Sequence, residues 1–114
     1  KAQKLLNEVI FDDVFYYIES KSLLLRIYYE LEEIDVMMAL CEAFKIYLRR
    51  NKLIAENKRE MYLNFIKITL KLSRIPRGKN EVLEEVMQLT KNTKLLVNAK
   101  WLQEKIEQKM KRRG

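Results

Sequence analysis

The segment from Lys21 to Asn51, KSLLLRIYYELEEIDVMMALCEAFKIYLRRN, constrains the fold more than any other part of the chain. It reads as two helices joined by a short acidic turn, and each helix carries apolar residues around most of its circumference. A helix that is apolar on several sides needs neighbours on several sides. The segment therefore predicts an array of stacked helices in which neighbouring helical hairpins cover one another.

Composition predicts an all-α fold, and the pattern of apolar residues divides it into about six helices arranged as stacked antiparallel hairpins. The 114 residues include only two glycines and one proline, which is too few for the frequent turns of a β-sheet. Hydrophobic residues make up 48% of the chain and charged residues 34%, a balance typical of a soluble folded protein. We therefore expect residues 1–114 to form a single helical-repeat domain. Because the chain opens on Lys rather than Met, we expect it to be a C-terminal fragment of a longer protein.

The N-terminal half is predicted to contain three helices. The first covers about Ala2–Ile10 and is expected to end at Asp12 and Asp13. The second runs from about Glu19 to Glu32, and its inward face is predicted to consist of five large side chains: Leu23, Leu24, Ile27, Tyr28 and Leu31. Its solvent-facing stripe is predicted to consist of four polar positions: Glu19, Ser22, Arg26 and Glu30. Asp35 is the predicted N-cap of the third helix, whose core residues recur at helical spacing: Met37, Leu40, Cys41, Phe44, Tyr47 and Leu48.

The C-terminal half is predicted to contain three more helices. The fourth, about Ala55–Arg74, is apolar in nearly every direction, so we expect it to be the most enclosed helix. The sequence Pro76-Arg77-Gly78 ends it, and Asn80 is the predicted N-cap of the fifth helix. Thr93 and Asn98 could each cap the sixth helix, and we prefer Asn98.

The helix pair resembles a tetratricopeptide repeat. Leu24 and Tyr28 match the Leu and the aromatic residue of that motif's first helix, and Ile34 stands where an aromatic residue follows the turn. Glu32 occupies the position of the turn glycine. From about Phe15 to its end, the chain also resembles the C-terminal helical region of uncharacterised bacterial tetratricopeptide-like proteins, in which runs such as IYYEL, YLRRNKLI and YLNFIK recur. This resemblance implies a fragment of a tetratricopeptide-like superhelix that acts as a scaffold for protein contacts, and it implies no enzymatic activity.

The sequence lacks the residues of the common catalytic and metal sites. It has no histidine and one cysteine, Cys41, so it cannot supply the usual zinc ligands or a Cys–His nucleophile. Gly78 is its sole internal glycine, so no Gly-rich loop can hold a phosphate. Three adjacent carboxylate pairs are interpreted as solvated charge at turns or helix starts: Asp12–Asp13, Glu32–Glu33 and Glu84–Glu85. We therefore predict a non-catalytic protein with no metal and no cofactor.

Charge is distributed unevenly along the chain. The net charge is −4 for residues 1–48, +8 for residues 49–80 and +3 for residues 81–114. In the basic middle section, Lys67, Lys71 and Arg74 step by four and three residues and so share one face of the fourth helix. Arg77 follows just beyond its end. These four residues, here called the basic ridge, are the candidate partner-binding site, although a solvated face on a mostly buried helix also explains them.

Three functions fit these features. The first is a non-catalytic protein–protein interaction scaffold of helical-repeat type, in which the basic ridge contacts a protein or peptide partner. The second is a nucleic-acid-binding domain that uses the ridge and the tail Lys111-Arg112-Arg113, although no aromatic platform is interleaved with the basic positions. The third is a structural cap or oligomerisation segment of a longer solenoid, which would self-associate through apolar surface at its N-terminal end.

The sequence also gives an expectation for the compartment. The longest apolar run is interrupted by charged residues, so we predict no membrane span. One cysteine is compatible with a reducing compartment. We therefore expect a cytoplasmic protein.

Overall fold

The computed structural model consists of α-helices joined by short connections, which confirms the all-α fold class. It describes the backbone of residues 2–110 and the side chains of residues 12–110. The described part contains five helices: α1 (Ala2–Glu30), α2 (Ile34–Arg50), α3 (Glu56–Ser73), α4 (Asn80–Asn92) and α5 (Ala99–Lys109). They group into two compact units, with the boundary between Ala55 and Glu56. The interpretation of residues 1–114 as one helical-repeat domain stays a prediction.

Helix α1 joins the first two predicted helices into one helix of 29 residues. The prediction that Asp12 and Asp13 end a helix is wrong, because both residues lie inside α1. An Asp in a helix interior costs less than about 1 kcal/mol relative to Ala. Neither Gly nor Pro occurs before Pro76, so nothing in this region forces a break.

A left-handed residue at the end of α1 produces the tight turn to α2. Glu32 has a φ of 58°, and the N–H groups of Glu32 and Glu33 donate to the carbonyl oxygens of Tyr29 and Tyr28 at 3.1 and 2.9 Å. This pair of hydrogen bonds is the Schellman motif, in which glycine usually takes the left-handed position. Asp35 lies in the first turn of α2 and not at its N-cap, which is Glu33.

In the first unit, α2 packs against α1 through a narrow core. The buried residues of α2 are all among those predicted: Met37, Cys41, Phe44 and Leu48. Among the described side chains of α1, those of residues 12–30, the buried ones are Ile18, Ser22 and Leu25. The predicted inward face of this helix is therefore wrong in part, because Leu23, Ile27 and Leu31 are exposed and Ser22 is buried. The short side chain of Ser22 lets two helices approach closely. A close approach stabilises the unit because protein cores are close-packed.

In the second unit, α3, α4 and α5 run up, down and up. Asn64 Nδ2 donates to the carbonyl oxygen of Leu95 at 2.9 Å, which places the α4–α5 connection beside the first half of α3. The N–H of Gly78 donates to the carbonyl oxygen of Lys109 at 2.9 Å, which places the end of α5 just beyond the end of α3. Helix α5 is therefore parallel to α3 and antiparallel to α4.

The helix boundaries of the second unit lie close to the predictions. Helix α3 differs from the predicted span by one residue at each end. It buries six residues: Tyr62, Phe65, Ile66, Ile68, Thr69 and Leu72. Asn98 is the N-cap of α5, as preferred, whereas Thr93 is the C-cap of α4. Lys79 occupies the N-cap position of α4, so the predicted cap Asn80 is its first helical residue.

Candidate partner-binding site

Three residues of the basic ridge lie on the solvent face of α3 and its end. Lys67, Lys71 and Arg74 are all exposed. At 3.6 residues per turn, they fall within an arc of about 60°, and they span about 10 Å along the axis. The buried residues of α3, including Phe65 and Leu72, lie on the opposite side of the helix. The ridge is therefore presented by a helix whose other face is fixed in a core.

Three cations of the ridge have no acidic neighbour among the described residues. The sequence contains no acidic residue between Glu60 and Glu81. Among the residues that the structure describes, no carboxylate oxygen lies within 4.0 Å of the cationic nitrogens of Lys67, Lys71 or Arg74. These three cations are therefore available to an external anion.

Arg77 differs from the other three ridge residues because the fold uses it. Its Nη1 atom donates to the carbonyl oxygen of Gln108 at 2.8 Å. A helix C-terminus carries unpaired carbonyl groups and a partial negative charge, so the guanidinium group stabilises the end of α5. Arg77 is also exposed, and it therefore combines a structural contact with a position at the edge of the ridge.

Lys109 reaches the same region, although it is not among the predicted site residues. Its Nζ atom donates to the carbonyl oxygen of Leu72 at 2.6 Å. Burial lowers the pKa of Lys109, and the positive charge of Arg77 lowers it further. Lys109 follows Leu102 by seven residues and Ile106 by three, so helical spacing places it at the end of the buried face of α5. Its contact with α3 depends on the parallel alignment of α3 and α5, which no local pattern indicates.

One end of the second unit thus gathers positive charge around two helix C-termini. It carries five cationic residues: Lys71, Arg74, Arg77, Lys79 and Lys109. The tail Lys111-Arg112-Arg113 follows in sequence and lies outside the described residues. A concentration of one charge sign raises the local concentration of ligands of the opposite sign. The surface therefore suits an anionic partner.

This region offers no stacking surface for nucleotide bases. The second unit contains three aromatic residues within the described range, of which Tyr62 and Phe65 are buried. Trp101 is half-buried, with its ring centroid 6.0 Å from that of Phe65. Recognition of single-stranded nucleic acid depends largely on exposed aromatic rings. The described residues of this region therefore favour charge over base stacking as the basis of an interaction.

The three carboxylate pairs are spread over three parts of the chain. Asp12–Asp13 lie inside α1, Glu32–Glu33 form the α1–α2 turn, and Glu84–Glu85 lie on α4, all exposed. Among the described side chains, those of residues 12–110, no group of three or more His, Cys, Asp or Glu is arranged to hold a metal ion.

Searches for membrane spans and for relatives both give negative findings. No helix of the described residues combines the length and the apolar character needed to cross a membrane. The chain matches no protein-family model, no curated protein and no solved structure. Its resemblance to tetratricopeptide-like proteins therefore stays a prediction.

Proposed function

We propose that the chain is a non-catalytic interaction module that holds an acidic segment of a protein partner against the basic ridge. The observation that carries this proposal is the row formed by Lys67, Lys71 and Arg74, which have no carboxylate partner among the described residues. A partner with carboxylates at matching intervals would replace solvent ions along about 10 Å of helix. Since an isolated exposed ion pair contributes no more than about 1 kcal/mol, several such pairs have to form together.

The position of the ridge on α3 favours binding. Six residues of this helix are buried, so the backbone that carries the cations does not have to be ordered when a partner arrives. Preorganisation of this kind increases affinity because it reduces the entropy lost on association. The proposal therefore requires only that the cationic side chains themselves become ordered.

The test compares two charge reversals on the full chain. K71E/R74E removes two ridge cations, and K91E/K94E removes two exposed cations at the other end of the second unit. Arg77 is left intact because it holds the end of α5. The probe is a fluorescent ten-residue Glu/Asp peptide, titrated at low salt and followed by anisotropy. We expect K71E/R74E to bind at least tenfold more weakly, K91E/K94E to bind as the unmodified chain does, and both to keep its circular dichroism spectrum. Equal affinity of K71E/R74E and the unmodified chain would overturn the proposal.

A second candidate function is nucleic-acid binding by the same surface. The five cationic residues at the end of the second unit, continued by the basic tail, favour it. Titration of duplex and single-stranded oligonucleotides at about 50 and 200 mM salt separates the two functions, because phosphate contacts give a steep loss of affinity with salt. Tighter binding of duplex than of the acidic peptide, with that salt dependence, would place nucleic acid first.

The third expectation, a structural cap or oligomerisation segment, predicts a mass in solution that rises with concentration. Analytical ultracentrifugation of the chain over a hundredfold concentration range tests it.

A cytoplasmic location also stays a prediction, which imaging of the tagged full-length protein in cells would test.

A further inference from the structure

A row of exposed apolar side chains follows α1 on the side away from its buried face. It consists of Tyr16, Leu23, Ile27 and Leu31, which are 67, 50, 41 and 65% exposed. At 3.6 residues per turn, these positions lie roughly opposite Leu25, and they span about 22 Å along the helix. Exposed apolar residues in a monomer are usually scattered, whereas a continuous row marks a contact surface. We call these four residues the α1 apolar row.

The row has the spacing of a helix–helix seam. With the polar residue Ser20 between Tyr16 and Leu23, its positions step by four, three, four and four residues, which keeps them on one face of the helix. The N–H of Leu31 donates to the carbonyl oxygen of Ile27 at 2.9 Å, so the helical geometry continues to the last member of the row. A second helix could therefore lie along α1 at a shallow crossing angle.

Acidic residues border the row. Asp12, Glu19 and Glu30 are exposed, and their spacing of seven and eleven residues keeps them along one side of it. Residues 12–35 contain seven acidic and two basic side chains. One of the two cations, Lys21, lies on another side of α1, with its Nζ atom 5.1 Å from the ring centroid of Tyr17. The other, Arg26, precedes Glu30 by four residues and lies on the same side as the three carboxylates. That side of the row therefore carries three negative charges and one positive charge, a net charge of −2.

This charge selects among the surfaces that could cover the row. An antiparallel pairing of α1 with α1 of a second copy would bring the two acidic borders together, and like charges across an interface oppose association. An anionic lipid surface is repelled for the same reason. A helix with Lys or Arg beside its apolar stripe gains from both contacts.

We propose that the α1 apolar row docks an amphipathic helix of another protein, whose apolar stripe is bordered by basic residues. The surface differs in chemistry and in residues from the basic ridge, so this inference goes beyond the proposed function and does not depend on it. Helix recognition of this type is read by apolar anchors at spacings of three, four and seven residues. The row supplies anchors at spacings of seven, four and four residues, and the acidic border favours a basic partner.

The test uses two fluorescent 18-residue model helices with the same stripe of Leu, one bordered by Lys and the other by Glu. Both are titrated against the full chain carrying K71E/R74E, so that the basic ridge does not capture the Glu-bordered helix. This variant changes the net charge from +7 to +3, so overall charge still opposes a cationic probe. We expect the Lys-bordered helix to bind at least tenfold more tightly.

Variants in the first unit then assign the binding to the row. L23S/I27S is expected to reduce binding of the Lys-bordered helix at least tenfold, without loss of helicity. The matched control V36S/I46S, which alters two exposed apolar residues of α2, is expected to bind as well as the chain that lacks these changes.

Several results would overturn the proposal. They are equal binding of the two helices, binding of neither, or full binding by L23S/I27S. A dimer in ultracentrifugation that L23S/I27S dissociates would assign the row to a second copy. Binding to phosphatidylglycerol vesicles that the same variant abolishes would assign it to a lipid surface. The acidic-peptide titration of the basic ridge is unaffected by any of these results, so the two proposals can fail separately.

Discussion

The ammonium group of Lys109 lies 2.6 Å from the carbonyl oxygen of Leu72, so the last turn of α5 caps the last turn of α3. The relationship is reciprocal, because Arg77, just beyond α3, donates to the carbonyl oxygen of Gln108 in α5 at 2.8 Å. Between the two contacts, the N–H of Gly78 donates to the carbonyl oxygen of Lys109. A helix C-terminus has carbonyl groups without an intrahelical partner and carries a partial negative charge. The end of α3 receives the cation of Lys109 from α5, and the end of α5 receives the cation of Arg77 from the residues that follow α3.

Lys109→Met tests the cap while keeping an unbranched side chain of similar bulk. The substitution removes the donor to Leu72, and we expect it to lower the free energy of unfolding by about 1 kcal/mol, as for a charged hydrogen bond that is partly exposed. Urea denaturation of the full chain measures the change. Lys100→Met, at an exposed position of the same helix, is the control and is expected to stay within about 0.5 kcal/mol of the unmodified chain. Equal stability of both variants would show that the cap contributes nothing.

The pKa of Lys109 gives the cap a pH dependence of known sign. Burial, and then the charge of Arg77, lower this pKa below its usual 10.5, so the unfolded chain holds the proton more tightly than the folded chain does. Holding Lys109 charged in the folded chain therefore costs free energy of folding. This cost is fully present below the pKa that Lys109 has in the folded chain, and it is relieved as pH rises from that pKa towards 10.5. The difference in unfolding free energy between the unmodified chain and K109M should therefore grow between pH 7 and pH 10. A difference that is constant or that shrinks would contradict this assignment.

Cys41 should be an unreactive thiol in the folded chain. It is fully buried between α2 and α1, and burial raises its pKa from 9.0 to about 11, with partial opposition from Lys45. Because the thiolate is the reactive form, this shift alone slows labelling about a hundredfold at pH 8. We expect Ellman's reagent to react at least that much more slowly with the native chain than with the chain in guanidinium chloride. As this is the only cysteine, fast labelling of native protein would contradict its burial.

The same shift predicts a loss of stability at high pH. Between pH 9.0 and about 11, the unfolded chain has released the Cys41 proton while the folded chain still holds it. Stability contributed by this group therefore falls through that window. Comparison with Cys41→Ala at each pH isolates the effect, since that variant lacks the titrating group.

Glu32→Gly should stabilise the chain. Glu32 is exposed and has a φ of 58°, a conformation that is unfavourable for a residue with a Cβ atom. Glycine removes that cost but gains more entropy in the unfolded chain, so we expect a net gain of about 0.5–1 kcal/mol in urea denaturation. The neighbouring Glu33, with a φ of −84°, gives the control, because Glu33→Gly brings only the entropic cost. Destabilisation by both substitutions would show that strain at Glu32 is negligible.

The features that the sequence predicts correctly are those marked by local signals. Helix α3 differs from its predicted span by one residue at each end, and Pro76 and Gly78 follow it. Lys67, Lys71 and Arg74 are exposed, as their shared face indicates, and Asn98 occupies the N-cap position of α5. Each of these signals lies within a few residues of the feature that it predicts, so local information is sufficient.

Prediction failed where the apolar pattern leaves several orientations open. Helix α1 is apolar around most of its circumference, and its buried face is decided by how closely α2 can approach. Ser22 permits that approach, and a hydrophobicity pattern counts it as a surface residue. The contact of Lys109 with Leu72 was missed for another reason, since it depends on which helices run parallel. Both failures concern packing between helices. The spacing of residues within one helix carries no information about which helix packs against it or in which direction that helix runs.

Paired substitutions at Ser22 and Leu23 test the orientation of α1 directly. Ser22 is 3% exposed and Leu23 is 50% exposed. Ser22→Leu inserts a large side chain into a filled contact, so we expect a loss of about 1–3 kcal/mol, although Leu is the better helix former. Leu23→Ser alters the solvent side and should change stability by no more than about 0.5 kcal/mol. Hydrophobic periodicity alone predicts the opposite order, with Leu23→Ser the damaging change. Urea denaturation of the two variants decides between the orientations, and a greater loss from Leu23→Ser would place the α1 apolar row in the core and remove it as a docking surface.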